Sequence, residues 1–297
     1  MNEQRPSAEA VERILKGWRY FGHPIRPGPA EVAAVEKGIA GIDRPRVLAL
    51  GATPELIDLA IGLDARRVTA IDWNGNAAEA MRRLAGRDWS GVEMIIADWR
   101  ERREELAASF DAAVGDGTFT FMGFPDDWRL LFGILRDYIV PGGVVVTRET
   151  FRTRERFDFT RRAEEATARF DENGRDLPPE KRLFVFRDML AYLRMGSVIA
   201  AADGTGVVDI AKRRSMCDQL GVELARRYPE GDMAQAVDAI FGKLAKARPI
   251  EAVSTASMEE ARGVIEEFGF RLESCEPLGD LPLPGAVRSM VVRREED

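Results

Sequence analysis

Three aspartates stand at the ends of apolar runs in the sequence, and a glycine ends the run that precedes all three. Gly51 follows Val47–Leu50, and Asp72, Asp98 and Asp116 end the next three runs. An acid about 20 positions after such a glycine can reach the hydroxyl pair of a ribose. A carboxylate such as that of Asp98 can accept a hydrogen bond from an exocyclic amine, and a neighbouring tryptophan can pack on a purine. The pattern therefore predicts a nucleotide-type ligand.

Each of these residues also has an ordinary structural explanation. A single aspartate after a strand is commonly the cap of the next helix, and glycines such as Gly115 and Gly117 are typical of a turn. Four consecutive strand ends that carry a glycine or an aspartate are harder to explain by capping alone. The two glycines would also bring the backbone around Asp116 close to a ligand. We therefore interpret the four strand ends as one ligand-binding edge.

The elements that must position these residues follow a strand–helix alternation. Apolar runs at 47–50, 68–71, 92–97, 112–114 and 144–147 predict strands, with helical patterns between them. Such alternation is typical of a parallel sheet in which ligands bind beyond the carboxyl ends of the strands. Two later runs, at 270–275 and 289–293, bring the prediction to seven strands. The predicted fold class is α/β, with a Rossmann-like, doubly wound and mostly parallel sheet, N-terminal helices and a helical insertion after strand five.

The same patterns divide the chain into four parts. We predict an N-terminal helical cap at residues 1–45 and the ligand-binding core at 46–150. Residues 251–297 are predicted to form the last helix and two strands. Residues 151–250 carry helical patterns and little strand signal, so we expect an insertion that contributes to substrate choice or to a homodimer contact. Its apolar residues are explained first by core packing; they are Phe184, Phe186, Met189, Tyr192 and Met195.

The insertion begins with a cluster of arginines, at positions 152, 154, 156, 161 and 162. Such a cluster could bind an anionic substrate. The acids interleaved with it favour a solvated surface of paired charges instead.

The composition limits the classes of function. The chain has 297 residues, of which 45% are hydrophobic, and a formal net charge of −7. That charge argues against binding to nucleic acid or to an anionic membrane, and no apolar run has the length of a membrane span. The start of the chain lacks the regions of a signal peptide, so we expect a cytoplasmic protein. Two cysteines and one histidine, His23, predict no metal site and leave one imidazole for acid–base chemistry.

Taken in order, these motifs resemble those of the class I S-adenosylmethionine-dependent methyltransferases. Val47–Gly51 resembles the first motif of that family, Ile71-Asp72 its ribose-binding acid, and Ala97-Asp98-Trp99 its adenine-binding segment. Gly115-Asp116-Gly117 resembles the fourth motif, and Val140-Pro141-Gly142-Gly143 resembles the turn before strand five.

The resemblance implies that S-adenosylmethionine is the cofactor and assigns residues to its parts. Asp72 would bind the ribose hydroxyls, Asp98 the adenine amine, and Asp116 would lie near the sulfonium. The residues that it places around the cofactor are Gly51, Ala52, Thr53, Asp72, Trp73, Asp98, Trp99, Asp116 and Gly117.

The first loop departs from the family pattern. Ala49 replaces its usual acid, and Thr53 and Glu55 replace its second and third glycines, as in a subgroup with a Thr-Pro-Glu run. A dinucleotide needs those glycines for close approach of its pyrophosphate, so the departure disfavours one. We expect Arg26, in the turn before the sheet, to bind the carboxylate of the methionine part, because a guanidinium pairs with a carboxylate through two hydrogen bonds. A solvated surface arginine is the alternative.

These observations predict an S-adenosylmethionine-dependent methyltransferase that acts on a small-molecule acceptor by in-line transfer to nitrogen or oxygen. The candidate catalytic residues are His23 and Asp116, since a phenol or alcohol usually needs a base. A structural role for the histidine is the alternative. Two other functions remain open: a cofactor-binding regulatory protein without catalysis, and, less favoured, an NAD(P)-dependent oxidoreductase.

Overall fold

The computed structural model describes residues 6–153, 157–174, 176–242, 253–278, 283 and 285–296. Seven strands form one sheet in the order β3-β2-β1-β4-β5-β7-β6, in which β7 is antiparallel to both of its neighbours and the other pairs are parallel. The predicted seven-stranded, mostly parallel α/β sheet is confirmed. The strands are β1 Arg46–Leu50, β2 Arg67–Asp72, β3 Val92–Ile96, β4 Phe110–Asp116, β5 Ile139–Thr150, β6 Phe270–Pro277 and β7 Val287–Arg294.

Ten α-helices lie in the described part of the chain. They are α1 Ala8–Trp18, α2 Pro29–Ile39, α3 Pro54–Gly62, α4 Gly75–Leu84, α5 Asp126–Tyr138, α6 Phe159–Gly174, α7 Pro179–Ala201, α8 Ile210–Arg227, α9 Gly231–Phe241 and α10 Met258–Glu267. None of these described helices has the length and apolar character needed to cross a bilayer. Helices α6 to α9 follow β5 directly, as the helical patterns predicted.

Both faces of the sheet are covered, and the alternation along β1 explains why. Leu48 and Leu50 point into a core cluster with Trp128 of α5, while Val47 and Ala49 point into a second cluster beneath α2 and α3. A strand that is buried on both faces reads as a continuous apolar run rather than an alternating one. Its polar and charged residues are therefore left to the strand ends, where the candidate site lies.

The predicted turn at Pro141–Gly143 is wrong in one respect, because these residues lie inside β5. Strand β4 pairs Phe110 with Ile139 and then Ala112 with Val144, so the extra residues of β5 form a bulge between two paired stretches. Gly142 has φ +75°, and a Cβ on Gly143 would lie 2.8 Å from the carbonyl oxygen of Asp111. The glycines therefore let the strand bulge without ending its pairing.

The insertion has its own apolar core, which also includes part of the N-terminal segment. Phe186, Leu190 and Leu193 of α7 are fully buried in it, and Tyr20 joins the same cluster. The hydroxyl of Tyr20 donates a hydrogen bond to Oε1 of Gln235 in α9, at 2.8 Å. Core packing thus accounts for Phe186 and its buried neighbours, whereas Phe184 remains 52% exposed.

Replacing Phe132 with alanine tests the packing beneath the site. Phe132 is fully buried and stacks on Phe119 with ring centroids 4.7 Å apart. We expect Phe132→Ala to lower the free energy of unfolding by about 3–5 kcal/mol, measured by urea denaturation. Leu130→Ala is the matched control on the same helix, because Leu130 is 48% exposed. Equal losses in the two variants would contradict this account.

Candidate functional site

The loop between β1 and α3 forms one corner of the candidate site. Gly51 has φ +109°, a conformation that favours glycine, and its N–H donates to the carbonyl oxygen of Ile71 at 2.8 Å. Thr53 is the N-cap residue of α3, and Pro54 occupies the first helical turn. The positive end of α3 therefore faces the carboxyl edge of the sheet.

Asp72 connects this corner to the next strand. Its Oδ2 accepts a hydrogen bond from the N–H of Ala52 at 3.1 Å, and its Oδ1 accepts one from the N–H of Asn74 at 2.8 Å. Asn74 in turn caps α4. Asp72 is therefore oriented by two backbone donors, one from the loop after β1 and one from the turn before α4. Trp73 beside it is 52% exposed.

Just after β3, the neighbouring side chains of Asp98 and Trp99 contact different parts of the site. The carboxylate of Asp98 accepts hydrogen bonds from Nε and Nη2 of Arg100, the latter at 2.7 Å. Burial opposes ionisation of Asp98, but the hydrogen bonds from Arg100 outweigh it and lower its pKa. The ring of Trp99 lies over Gly51, since a Cβ on that glycine would be 3.4 Å from its Cζ3.

A buried ion-pair network lies at the ends of β4 and β5. Arg148 Nε donates to Oδ1 of Asp116 at 2.5 Å, and its Nη1 donates to the carbonyl oxygen of Pro24. Glu31 of α2 lies on the other side, with Oε1 3.8 Å from Nη1. Burial raises the pKa of Asp116, and the charge of Arg148 opposes that effect. Arg148 thus joins the sheet, α2 and the N-terminal turn.

His23 lies in that turn with its orientation fixed at two points. Its backbone N–H donates to Oδ1 of Asp188 at 3.0 Å, and its ring Nδ1 lies 3.0 Å from the carbonyl oxygen of Arg26. A carbonyl can only accept, so Nδ1 carries the proton of the neutral ring and Nε2 is the basic atom. Within the described part of the chain, Nε2 has no hydrogen-bond partner. A Cβ on Gly28 would lie 2.5 Å from the ring, so that glycine makes room for it.

Arg26 lies beside His23 and pairs with an acid of α3. Its Nε donates to Oε1 of Glu55 at 2.8 Å, and its Nη2 donates to the same oxygen. The guanidinium also lies 5.6 Å from the ring centroid of Trp18. The second oxygen of Glu55, Oε2, is buried and has no hydrogen-bond partner among the residues that the structure describes.

Glu149, one position beyond Arg148 in β5, holds the loop that follows β4. Its carboxylate accepts hydrogen bonds from the N–H of Phe119 at 3.2 Å and from both N–H and Oγ1 of Thr120 at 2.8 Å. Burial raises the pKa of Glu149 to about 7, against the effect of these hydrogen bonds, and the charge of Asp116 raises it further.

Two cavities adjoin these residues. One, of about 560 Å³, lies between the N-terminal turn, α2 and α7, and its lining includes His23, Arg26, Glu55 and Arg187. The other, of about 770 Å³, lies between the end of β5 and helices α7 and α8. Among the described residues, no three histidine, cysteine, aspartate or glutamate side chains are grouped as metal ligands.

Most of the predicted residues are brought together in two groups. Gly51, Ala52, Asp72 and Trp99 are joined by direct contacts, and His23, Arg26 and Asp116 are joined through the Arg148 network and the N-terminal turn. The carboxylate of Asp98 is occupied by Arg100. Of the arginine cluster, positions 154 and 156 lie outside the described residues, while Arg161 and Arg162 are paired with Glu165.

Several residues near this edge were not assigned to the site by the sequence analysis, although Glu55 was noted there as a replacement for a glycine. They are Glu31, Glu55, Arg148, Glu149, Arg187 and Asp188. The available signal was an adjacent Arg-Glu pair inside a run that otherwise predicts a buried strand, because buried charges need partners.

Comparisons with known proteins identify the fold. No family model and no curated protein matches the sequence. A solved structure from Rhodobacter sphaeroides, assigned to the zinc-dependent alcohol dehydrogenases, is 18% identical with a TM-score of 0.57, covering 97% of this chain and 98% of that one. An S-adenosylmethionine-dependent methyltransferase from Mesorhizobium loti is 15% identical with a TM-score of 0.50, covering 90% and 99%.

A third structure, an S-adenosylmethionine-dependent methyltransferase from Methanosarcina mazei, is 13% identical with a TM-score of 0.50, covering 92% of this chain and 100% of that one. At these identities the likeness is one of fold. The chain has the Rossmann-like α/β fold of these methyltransferases, with a sheet of seven strands and flanking helices.

The raised pKa of Glu149 predicts a pH dependence of stability. The folded state holds the proton of Glu149 more tightly than the unfolded state, so its carboxyl opposes folding increasingly as the pH rises from about 4.5 to about 7. We expect Glu149→Gln, which resembles the neutral form, to gain about 3 kcal/mol in unfolding free energy relative to the wild type across that range.

Urea denaturation of both proteins at a series of pH values measures this difference. Curves of unfolding free energy that stay parallel from pH 4.5 to 7.5 would show that Glu149 titrates normally. Glu105→Gln serves as the control, because Glu105 is exposed and a backbone hydrogen bond and its bond from Arg103 lower its pKa instead of raising it.

Proposed function

We propose that this protein is an S-adenosylmethionine-dependent methyltransferase that acts on a small-molecule acceptor. The observation that carries the proposal is the corner formed by Gly51 and Asp72. It lies beside the position where the strand order reverses, between β1 and β4, and ligands of such sheets bind at that switch point. The methyltransferase fold of the chain supports the same assignment.

The adenosine part of the cofactor fits the edge next to this corner. Asp72 has its two oxygens held in place by backbone donors and would accept hydrogen bonds from the ribose hydroxyls. Trp73 follows the last residue of β2, and Ile96 is the last residue of β3. Their side chains are 52% and 48% exposed, and exposed apolar side chains side by side can mark a ligand contact. We assign these side chains to the adenine. Asp98 would bind the amine while keeping its pair with Arg100.

The methionine part needs a partner for its ammonium as well as for its carboxylate. Ala49 supplies no charge, and it is buried in the core. Glu55 has a buried oxygen that no described residue hydrogen-bonds, which suits an ammonium, and Arg26 beside it suits a carboxylate. The Arg26–Glu55 pair thus offers both charges at the end of α3, although the loop lacks the usual acid.

The reaction that we propose is an in-line displacement. S-adenosylmethionine, when bound, supplies a methyl group on a positively charged sulfur. The residues of this chain would hold the acceptor in line with that group and exclude water. In this reaction Nε2 of His23 would take a proton from an acceptor hydroxyl, and Asp116 would act on the site by holding Arg148.

Replacing Asp72 tests the cofactor assignment. We expect Asp72→Asn to weaken the binding of S-adenosylhomocysteine at least about tenfold by calorimetry, because the neutral amide is a weaker acceptor for the ribose hydroxyls. Asp88→Asn is the control, since Asp88 is an exposed residue that bonds to Ser90. Full affinity in Asp72→Asn would overturn the assignment, and binding of NAD in place of S-adenosylhomocysteine would favour the oxidoreductase.

Replacing His23 tests whether the protein is a catalyst or a cofactor-binding regulator. Transfer from methyl-labelled S-adenosylmethionine is measured across a library of small phenols, alcohols and amines. For hydroxyl acceptors we expect His23→Gln to lower kcat by at least about a hundredfold at unchanged cofactor affinity, because the base is lost. Equal rates in both proteins would contradict a base at His23. Cofactor binding without transfer to any acceptor would favour the regulatory protein.

A further inference from the structure

The cavity of about 560 Å³ beside His23 has the size of a small-molecule pocket. We call it the turn cavity, since it is bounded by the N-terminal turn at Phe21–Gly28, by α2 and by the start of α7. It adjoins the carboxyl edge of the sheet through Arg148. Arg148 donates a hydrogen bond to the carbonyl oxygen of Pro24, next to His23, and another to Asp116 at the end of β4. A methyl acceptor in this cavity would lie beside the carboxyl edge of the sheet.

Arg187 is the unusual charge in the lining of the turn cavity. Its Nη2 donates to the carbonyl oxygen of Phe21 at 3.0 Å, but its Nε is buried and no described residue forms a hydrogen bond with it. Arg187 forms no ion pair in the described part of the chain. Burial lowers its pKa, and the charge of Arg26 adds to that effect. A half-buried guanidinium without a carboxylate is costly unless a ligand supplies the missing charge.

The neighbouring acids do not supply a direct ion-pair partner for Arg187. Arg26 is occupied by Glu55, and Oδ1 of Asp188 accepts from the backbone N–H of His23. Burial raises the pKa of Asp188, and the nearby charges of His23 and Arg187 oppose that effect, so Asp188 acts on Arg187 through its charge without forming a direct ion pair in the described part of the chain. The third acid of the lining, Glu36, is on the solvent-exposed face of α2.

The turn cavity also has apolar walls. Phe184 is 52% exposed although it lies only two positions before the fully buried Phe186, and it lines the cavity together with Phe21. Large exposed aromatic side chains beside a pocket commonly mark a ligand contact. Arg187 and His23 line the same cavity as these two rings.

We propose that the turn cavity binds the methyl acceptor and that this acceptor is a hydroxylated aromatic carboxylate. Its carboxylate pairs with Arg187, its ring packs on Phe21 and Phe184, and its hydroxyl faces Nε2 of His23. The hydroxyl proton passes to Nε2, the oxygen forms a bond to the methyl carbon, and the carbon–sulfur bond breaks with its electron pair remaining on sulfur. This inference rests on the proposed methyltransferase function and makes oxygen the methylated atom.

The test compares acids with their neutral amides in the full-length protein saturated with S-adenosylhomocysteine. Calorimetry measures the binding of salicylate against salicylamide and of protocatechuate against its amide. For the wild type we expect at least one acid to bind about tenfold or more tightly than its amide, because a charge-assisted pair replaces a neutral contact. Arg187→Met should abolish this preference, and Arg187→Lys should keep part of it.

Arg182→Met is the matched control, because Arg182 is an arginine of the same helix that packs over Phe170 instead of lining the turn cavity. It should keep the preference for the acid. No preference in the wild type, or a preference that survives in Arg187→Met, would overturn the inference. Binding of S-adenosylhomocysteine is measured first in the wild type and in every variant. If the wild type does not bind it, the proposed function itself is wrong.

Discussion

The candidate site depends on one buried cation. Arg148 is 7% exposed and contacts three separate parts of the chain: Asp116 at the end of β4, Glu31 in α2 and the carbonyl oxygen of Pro24. An arginine buried without such partners would be strongly destabilising, so the three contacts constrain one another. They fix the N-terminal turn against the carboxyl edge of the sheet. His23 and Arg26 are placed by that turn, and hence indirectly by Arg148.

A second constraint links the insertion to the same turn. Tyr20 is buried with α7 and α9, and Asp188 of α7 accepts the backbone N–H of His23. The turn is therefore held from the sheet side by Arg148 and from the insertion side by α7. This arrangement explains why the turn cavity lies where it does, and why residues so distant in sequence line it together.

The sheet was predictable from the sequence because its strands are buried on both faces. Runs such as Val47–Leu50 and Val68–Ile71 carry that signal locally, and Gly51 and Asp72 follow from their positions at the ends of those runs. The charged contacts were not predictable in the same way. The pairing of Arg26 with Glu55 and of Arg148 with Asp116 joins residues 29 and 32 positions apart, and such choices depend on tertiary packing. The bulge at Gly142 was mistaken for a turn because the same glycines suit both.

The hydrogen bond of His23 to a backbone carbonyl leaves only Nε2 of its ring to take up a proton. Its Nδ1 faces a backbone carbonyl, which cannot take a proton onward, so a proton received at Nε2 has no relay into the interior. It must leave by the side from which it came, through the turn cavity to water. If the proposed reaction takes place, resetting the ring between turnovers depends on how readily that cavity empties, so departure of the product is coupled to recovery of His23.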